Sequence, residues 1–196
     1  LTIIIGVTGI SFSLPIGIVL ALGRRSNMPA LKTVCVLFIE FIRGVPLITL
    51  LFVASTMLTY FLPPGSTFYL LMRVLIMVTL FSSAYIAEVV RGGLQGLPSG
   101  QYEAADSLGL TYWKAHRLII LPQALKISIP GIVNTFIGLF KDTTLVLIIG
   151  MMDIVGLGRA RLNDPYWLGL AGELYLFRAI FFFICCFCYL SIFNIP

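Results

Sequence analysis

The stretch E-A-A-D-S-L-G-L-T-Y-W-K-A-H-R-L-I-I-L-P, Glu103 to Pro122, is the polar centre of a connection, about Arg91 to Lys126, that joins two long apolar runs. Its punctuation is that of two short helices. Pro98 and Ser99 suit a helix start, Glu103, Ala104 and Ala105 continue it, and Gly109 suits the left-handed conformation that ends one. That helix has about 2.5 turns and a length of roughly 14 Å. Thr111 suits the cap of a second helix from Tyr112 to Leu118, which Pro122 then disturbs. Two short helices at an angle make a knob. Small Ala104 and Ala105 admit a close neighbour, Glu103 sets a carboxylate near a helix start, and Gly109 permits a sharp corner. The residues alone leave two readings open. One is a surface that docks another protein. The other is an amphipathic hairpin resting on lipid headgroups, which Trp113 and the basic residues serve equally well.

What surrounds the knob is a membrane. Of 196 residues, 59% are hydrophobic and 11% charged, with a mean hydropathy of +1.04. A soluble domain has about a quarter of its residues charged. Disulfide-stapled, disordered, fibrous and nucleic-acid-binding classes are excluded by the same composition, despite a net charge of +5. A spanning helix needs about 20 apolar residues to cross roughly 30 Å of hydrocarbon. Charges segment the chain into five candidates, 1–22, 44–62, 70–90, 127–150 and 174–195, with Pro15 expected to kink the first. Leu31 to Ile42 is amphipathic and leads through Gly44 and Pro46 into the second, lying at the interface or continuing it at an angle.

Basic residues give the orientation. Arg24, Arg25, Lys32, Arg43, Arg91, Lys114, Arg117 and Lys126 fall on one side, against Arg73, Arg159, Arg161 and Arg178 on the other. The first side is therefore expected to be cytoplasmic, 91–126 the long cytoplasmic loop within a single domain of 1–196, and Met151 to Glu173 the main external loop. The chain opens and closes inside apolar runs without an initiator Met, and reads as a fragment. Cys35, Cys185, Cys186 and Cys188 lack metal-site spacing and read as small hydrophobes.

At Glu103 to Pro122 the sequence resembles a family. Glu103, Ala104, Ala105, Gly109, Ile119, Leu121 and Pro122 match every defined position of E-A-A-x3-G-x9-I-x-L-P, the signature of permease subunits of binding-protein-dependent ABC importers. The stretches Phe38 to Leu47, Ser83 to Gly93 and Phe140 to Leu145 are similar to the polar amino-acid uptake branch, including permeases for general L-amino acids. The resemblance implies an all-α integral membrane fold, a five-transmembrane-helix type I importer core with a cytoplasmic coupling-helix loop, in a bacterial inner membrane. It implies that Tyr102, Glu103, Ala104, Ala105, Ser107, Leu108 and Gly109 contact a cytosolic ABC ATPase dimer, with Arg117, Leu121 and Pro122 bracing that contact. The partners so implied are that ATPase, a second permease subunit, the same or related, an extracytoplasmic amino-acid-binding protein, the amino-acid substrate and membrane lipid. The chain lacks G-x-x-x-x-G-K-[ST], so ATP and Mg are expected on the ATPase; no cofactor or metal and no catalytic residue is expected here, and the chain is not read as an enzyme.

Lys141 and Asp142 fall in the middle third of the fourth candidate span, where each charge costs about 2.5–3.5 kcal/mol on insertion scales. They are expected to face the bundle interior, water or a partner. A free amino acid complements both charges, but a structural ion pair or a helix break explains them too. Ser82, Ser83, Asn134 and Thr143 are the polar residues that would extend this substrate path or gate, though such hydroxyls often bond their own backbone. Glu40 with Arg43 and Glu88 with Arg91 are spaced for local ion pairs. His116 reads as a polar surface residue. An ion-gradient-driven secondary transporter is the alternative for which Lys141 and Asp142 argue, but it leaves the signature unexplained.

Overall fold

The computed structural model describes residues 1–57, 60, 69–162, 164–167 and 169–193. Among the described residues, four helical runs are long and apolar enough to span a membrane, and a bent pair taken as one span makes a fifth. The ends of the expected second and last spans, 58–59, 61–62 and 194–195, and Asn163 of the expected outer loop lie outside the described residues.

The first helix, α1, covers Thr2–Arg24, and the helix continues through Pro15. Its buried residues include Gly9, Ser13, Gly17 and Ala21, one small residue in every fourth position. That stripe decides how it packs. Lipid tails give helices no hydrophobic reason to associate, so close backbone approach carries the contact. The partner is α4, Leu70–Gln95, the central helix of the bundle. A Cβ at Gly17 would stand 2.7 Å from Ile86 Cγ2 and 3.0 Å from the Ser83 carbonyl oxygen.

Between them the chain forms α2, Pro29–Gly44, and α3, Leu47–Phe52, which continues as a π turn over Val53–Met57. The two helices meet at 99°. Pro46 lacks an N–H and holds the preceding Val45 in extended backbone, φ −104° and ψ 130°, so no helix can run through. The amphipathic stretch therefore continues the second span at an angle.

After α4 come α5, Ser99–Ser107, and α6, Tyr112–Ala115. A π turn over His116–Ile120 then leads into α7, Leu121–Asp142. The expected interruption at Pro122 does not occur, and Tyr112 to Ile149 is one helical run of 38 residues. Pro122 enters in the first turn beyond the π turn, where the wider winding spares its ring the clash with a preceding carbonyl. On α7, Gly131 takes Val89 of α4 against its backbone, and Ser128 Oγ donates to the Val89 carbonyl at 3.2 Å.

The α-helix ends at Asp142 and tightens to 3₁₀ over Thr143–Ile149. Lys141 and Asp142 thus close a helix instead of standing inside a uniform one. Thr143 and Thr144 donate from Oγ1 to the carbonyls of Phe140 and Lys141 at 2.7 and 2.9 Å, competing for groups the α-helix would use. The chain finishes with α8, Ile154–Leu162, and the apolar α9, Ala171–Phe193, which packs on α7 and leaves Phe183, Ile184 and Phe187 exposed for lipid. All four cysteines are free thiols, and Cys35 is buried.

Candidate functional site

The knob is held from below and bare on top. The end of α5 is closed by Gly109 at φ +66°, with Gly109 N–H donating to Asp106 at 2.9 Å and Leu110 N–H to Ala105 at 3.2 Å. This is the Schellman arrangement, which only a left-handed residue completes. Glu103, Ala104, Asp106, Ser107, Leu108 and Gly109 are exposed, whereas Ala105 is buried against the core. Tyr102 turns inward. Its hydroxyl donates to the Leu94 carbonyl at 3.1 Å and accepts from Arg25 Nη1 at 2.8 Å, while the guanidinium lies 5.3 Å from the ring centroid. Gln123 Nε2 donates to Gln101 Oε1 at 3.1 Å, tying α5 to α7.

His116 is buried, not a surface group. Its ring lies 3.9 Å from that of Tyr112, centroid to centroid, and its Nδ1 is 3.0 Å from the Tyr112 carbonyl oxygen. Arg117 and Pro122 are exposed and Leu121 is half-buried. Between the knob and the α1–α2 turn lies a cavity of about 700 Å³, with Leu22, Arg25, Met28, Trp113 and His116 among its walls.

Beside the knob a charged cluster joins three helices. Glu88 Oε2 accepts from Arg24 Nη1 at 3.0 Å and stands 3.8 Å from Arg43 Nη1. Glu88 Oε1 accepts from Arg91 Nε at 2.8 Å and also takes Arg91 Nη2. The expected Glu88–Arg91 pair is therefore present, but Glu40 reaches past Arg43 to Arg24 Nη2 at 3.1 Å. The guanidinium of Arg43 instead sits 5.5 Å from the centroid of the Tyr85 ring.

A second family of residues, at membrane depth, is dispersed. Ser82, Ser83 and Thr143 are buried, and the hydroxyls of Ser83 and Thr143 donate to Leu80 and Phe140 of their own helices. Asn134 is exposed beside a cavity of about 270 Å³ that Lys126, Pro130 and Leu190 also line. Lys141 is exposed on the same face two turns on, and Asp142 is half-buried. Neither makes an ion pair among the described residues.

A family model described as binding-protein-dependent transport system inner membrane component matches residues 13–195. The chain belongs to this family. Among curated members it is 62% identical, over 94% of its length, to the glutamate/glutamine/aspartate/asparagine transport system permease protein BztC of Rhodobacter capsulatus, of which it covers 43%. It is 58% identical, over 95% of its length, to the inner membrane amino-acid ABC transporter permease protein YhdY of Escherichia coli, of which it covers 51%. The chain thus spans about half the length of these relatives. Its fold superposes with a TM-score of 0.83 on a chain of an amino acid ABC transporter solved with histidines, 30% identical, covering 98% of this chain and 87% of that one. A chain of the methionine ABC transporter MetNI shares the fold, with a TM-score of 0.73 at 21% identity, covering 98% and 89%. An inner-membrane transport component of this family is what the multi-pass helices and the E-A-A signature describe.

Three residues carry geometry that the sequence reading passes over. Arg25 is the clasp on Tyr102, and Asp153 and Arg178 are both buried. Arg178 carries the signal that singles out Lys141, a lone cation in an apolar run; counting it as a marker of topology hides it.

Proposed function

We propose that this permease chain is the membrane-spanning part of an ATP-driven importer of polar L-amino acids. The exposed tip Glu103 to Gly109 inserts into a cytosolic ATPase, one of two that hold ATP and magnesium. A second permease, the same or related, completes the pathway, and an extracytoplasmic binding protein delivers the amino acid. One observation carries the reading: the signature tip is bare, while Tyr102, Arg25 and buried Ala105 fix its base to the membrane helices. A docking surface built that way passes on a push. The names of the two relatives, which concern acidic amino acids, their amides and amino acids in general, support the substrate class.

Within this reading Asn134 and Lys141, on one open face of α7, belong to the substrate path or to its gate with Asp142; Ser82, Ser83 and Thr143 pack that path from behind. The test is reconstitution of the full-length protein with its ATPase, second permease and binding protein in sealed vesicles. Amino-acid uptake that requires ATP and the binding protein is the expected result. Uptake driven by a proton or sodium gradient alone overturns it in favour of a secondary transporter.

A further inference from the structure

Arg178, the eighth residue of α9, is 5% exposed, and its Nε, Nη1 and Nη2 all lack hydrogen-bond partners. No other cationic side chain among the described residues is buried in this way. A guanidinium cannot shed its charge, and its five N–H donors in a planar fork match the two oxygens of a carboxylate. No carboxylate among the described residues lies within ion-pair distance of it. The guanidinium carbon lies 5.1 Å from the centroid of the Tyr175 ring, which attracts the charge without accepting the N–H groups. Gly158 of α8 lies directly against it, and any side chain there would occupy the place of the guanidinium. Among the described residues Asp153, 1% exposed, is the one buried carboxylate; its Oδ1 caps α8 by accepting from Gly156 N–H at 2.7 Å, its Oδ2 has no hydrogen-bond partner, and it makes no ion pair with Arg178.

A buried guanidinium fork beside an aromatic ring and a glycine has the chemistry to take a carboxylate. We propose that Arg178 receives the carboxylate of a transported amino acid, and that α8 is the cover lying over the guanidinium when no carboxylate is bound. This rests on the amino-acid import reading above and assigns a residue to its cargo. The cover is suited to lift. It meets Arg178 through a glycine and not through an interlocked side chain, and Gly150, at φ +83°, makes the turn between the 3₁₀ segment and α8. A buried lone cation in a spanning helix marks a path in membrane proteins generally.

The experiment uses the detergent-solubilised permease–ATPase complex, without binding protein, and three probes at about 10 mM, L-glutamate, L-glutamine and L-glutaminamide, since a bound ligand raises the melting temperature. The two amino acids are expected to raise it and the amide, which lacks the carboxylate, is not. Arg178→Gln removes an unpaired buried charge, so the unliganded complex melts at or above wild type, but the shift with amino acids disappears. Arg178→Lys keeps part of the shift, and Gly158→Ala, by displacing the guanidinium, loses it. In vesicles, Arg178→Gln raises KM at least ~10-fold, the loss expected when one partner of a buried charge pair is removed. A lower melting temperature of unliganded Arg178→Gln, restored by adding Asp153→Asn, assigns Arg178 to an internal pair and overturns the proposal. So does an equal shift with glutaminamide, or ATP-driven uptake at unchanged KM in Arg178→Gln. Absence of any amino-acid shift or uptake in the wild type overturns the import reading itself, and this assignment with it.

Discussion

Arg24, the last residue of α1, and Glu88 of α4 are 64 positions apart in the chain and 3.0 Å apart in space, Nη1 to Oε2. Through that contact one carboxylate serves helices α1, α2 and α4 at the end of the bundle beside the knob. Its side chain is 21% exposed, against 56% for Glu40, which shares only Arg24.

The two carboxylates are therefore unequal. Glu88→Gln leaves Arg24, Arg43 and Arg91 short of a counter-charge and is expected to cost about 1.5–3 kcal/mol. Glu40→Gln, at an exposed pair, is expected to cost under ~1 kcal/mol. Thermal unfolding of the full-length protein in detergent measures both, and equal effects would contradict the hub.

Tyr102→Phe keeps the ring under Arg25 and deletes the hydroxyl that links Arg25 to the Leu94 carbonyl. The loss is about 1 kcal/mol locally. Amide hydrogen exchange in α5 should quicken while that of α4 stays unchanged. In the assembled importer the ratio of amino acid imported to ATP consumed should fall.

Gly109 stands in open space, with nothing within 4 Å of an added Cβ, so its requirement is conformational. Asn, which visits left-handed backbone readily, is expected to be tolerated. Gly109→Val meets about 1–2 kcal/mol of backbone strain and opens the end of α5. Uptake assays on the two variants separate strain from bulk: if both fail alike, the bare tip itself is what matters.

Gly93 is the opposite case. A Cβ there would come 2.5 Å from the Ala124 carbonyl oxygen and overlap Ser128 Oγ. Gly93→Ala is expected to destabilise by about 1–3 kcal/mol through overpacking, with a visible drop in the amount of folded protein extracted from membranes. Gly92→Ala, next along the helix and facing open space, is the control that should behave as wild type.

Spans and knob were legible because each depends on local pattern. Uncharged runs of helical length marked the crossings, and Pro98, Gly109 and Thr111 marked the corners of the loop. The bend at Pro46 was legible for the same reason. Partner choice was not. Glu40 and Arg43 have the spacing of a pair, but Arg24 comes from another helix and takes the carboxylate. The π turn at His116–Ile120 has no signature of its own, so Pro122 read as a stop. The fourfold spacing of Gly9, Ser13, Gly17 and Ala21 was present in the sequence, yet its meaning depends on knowing that lipid makes small residues the adhesive ones. Burial of Arg178 likewise depends on Gly158, twenty positions away.

The unbroken run from Tyr112 to Ile149 has a mechanical meaning. At 1.5 Å per residue it is about 57 Å long, more than the roughly 40–45 Å of a bilayer with its headgroups. Gly131, where the run rests against Val89 of α4, has nineteen residues on one side and eighteen on the other. α4 clamps the middle of the run at Ala124, Ser128 and Gly131, and its two ends lie beyond that clamp on either side. The knob and the 3₁₀ segment that ends at Ile149 are thus the two ends of one helical run, with no loop between them.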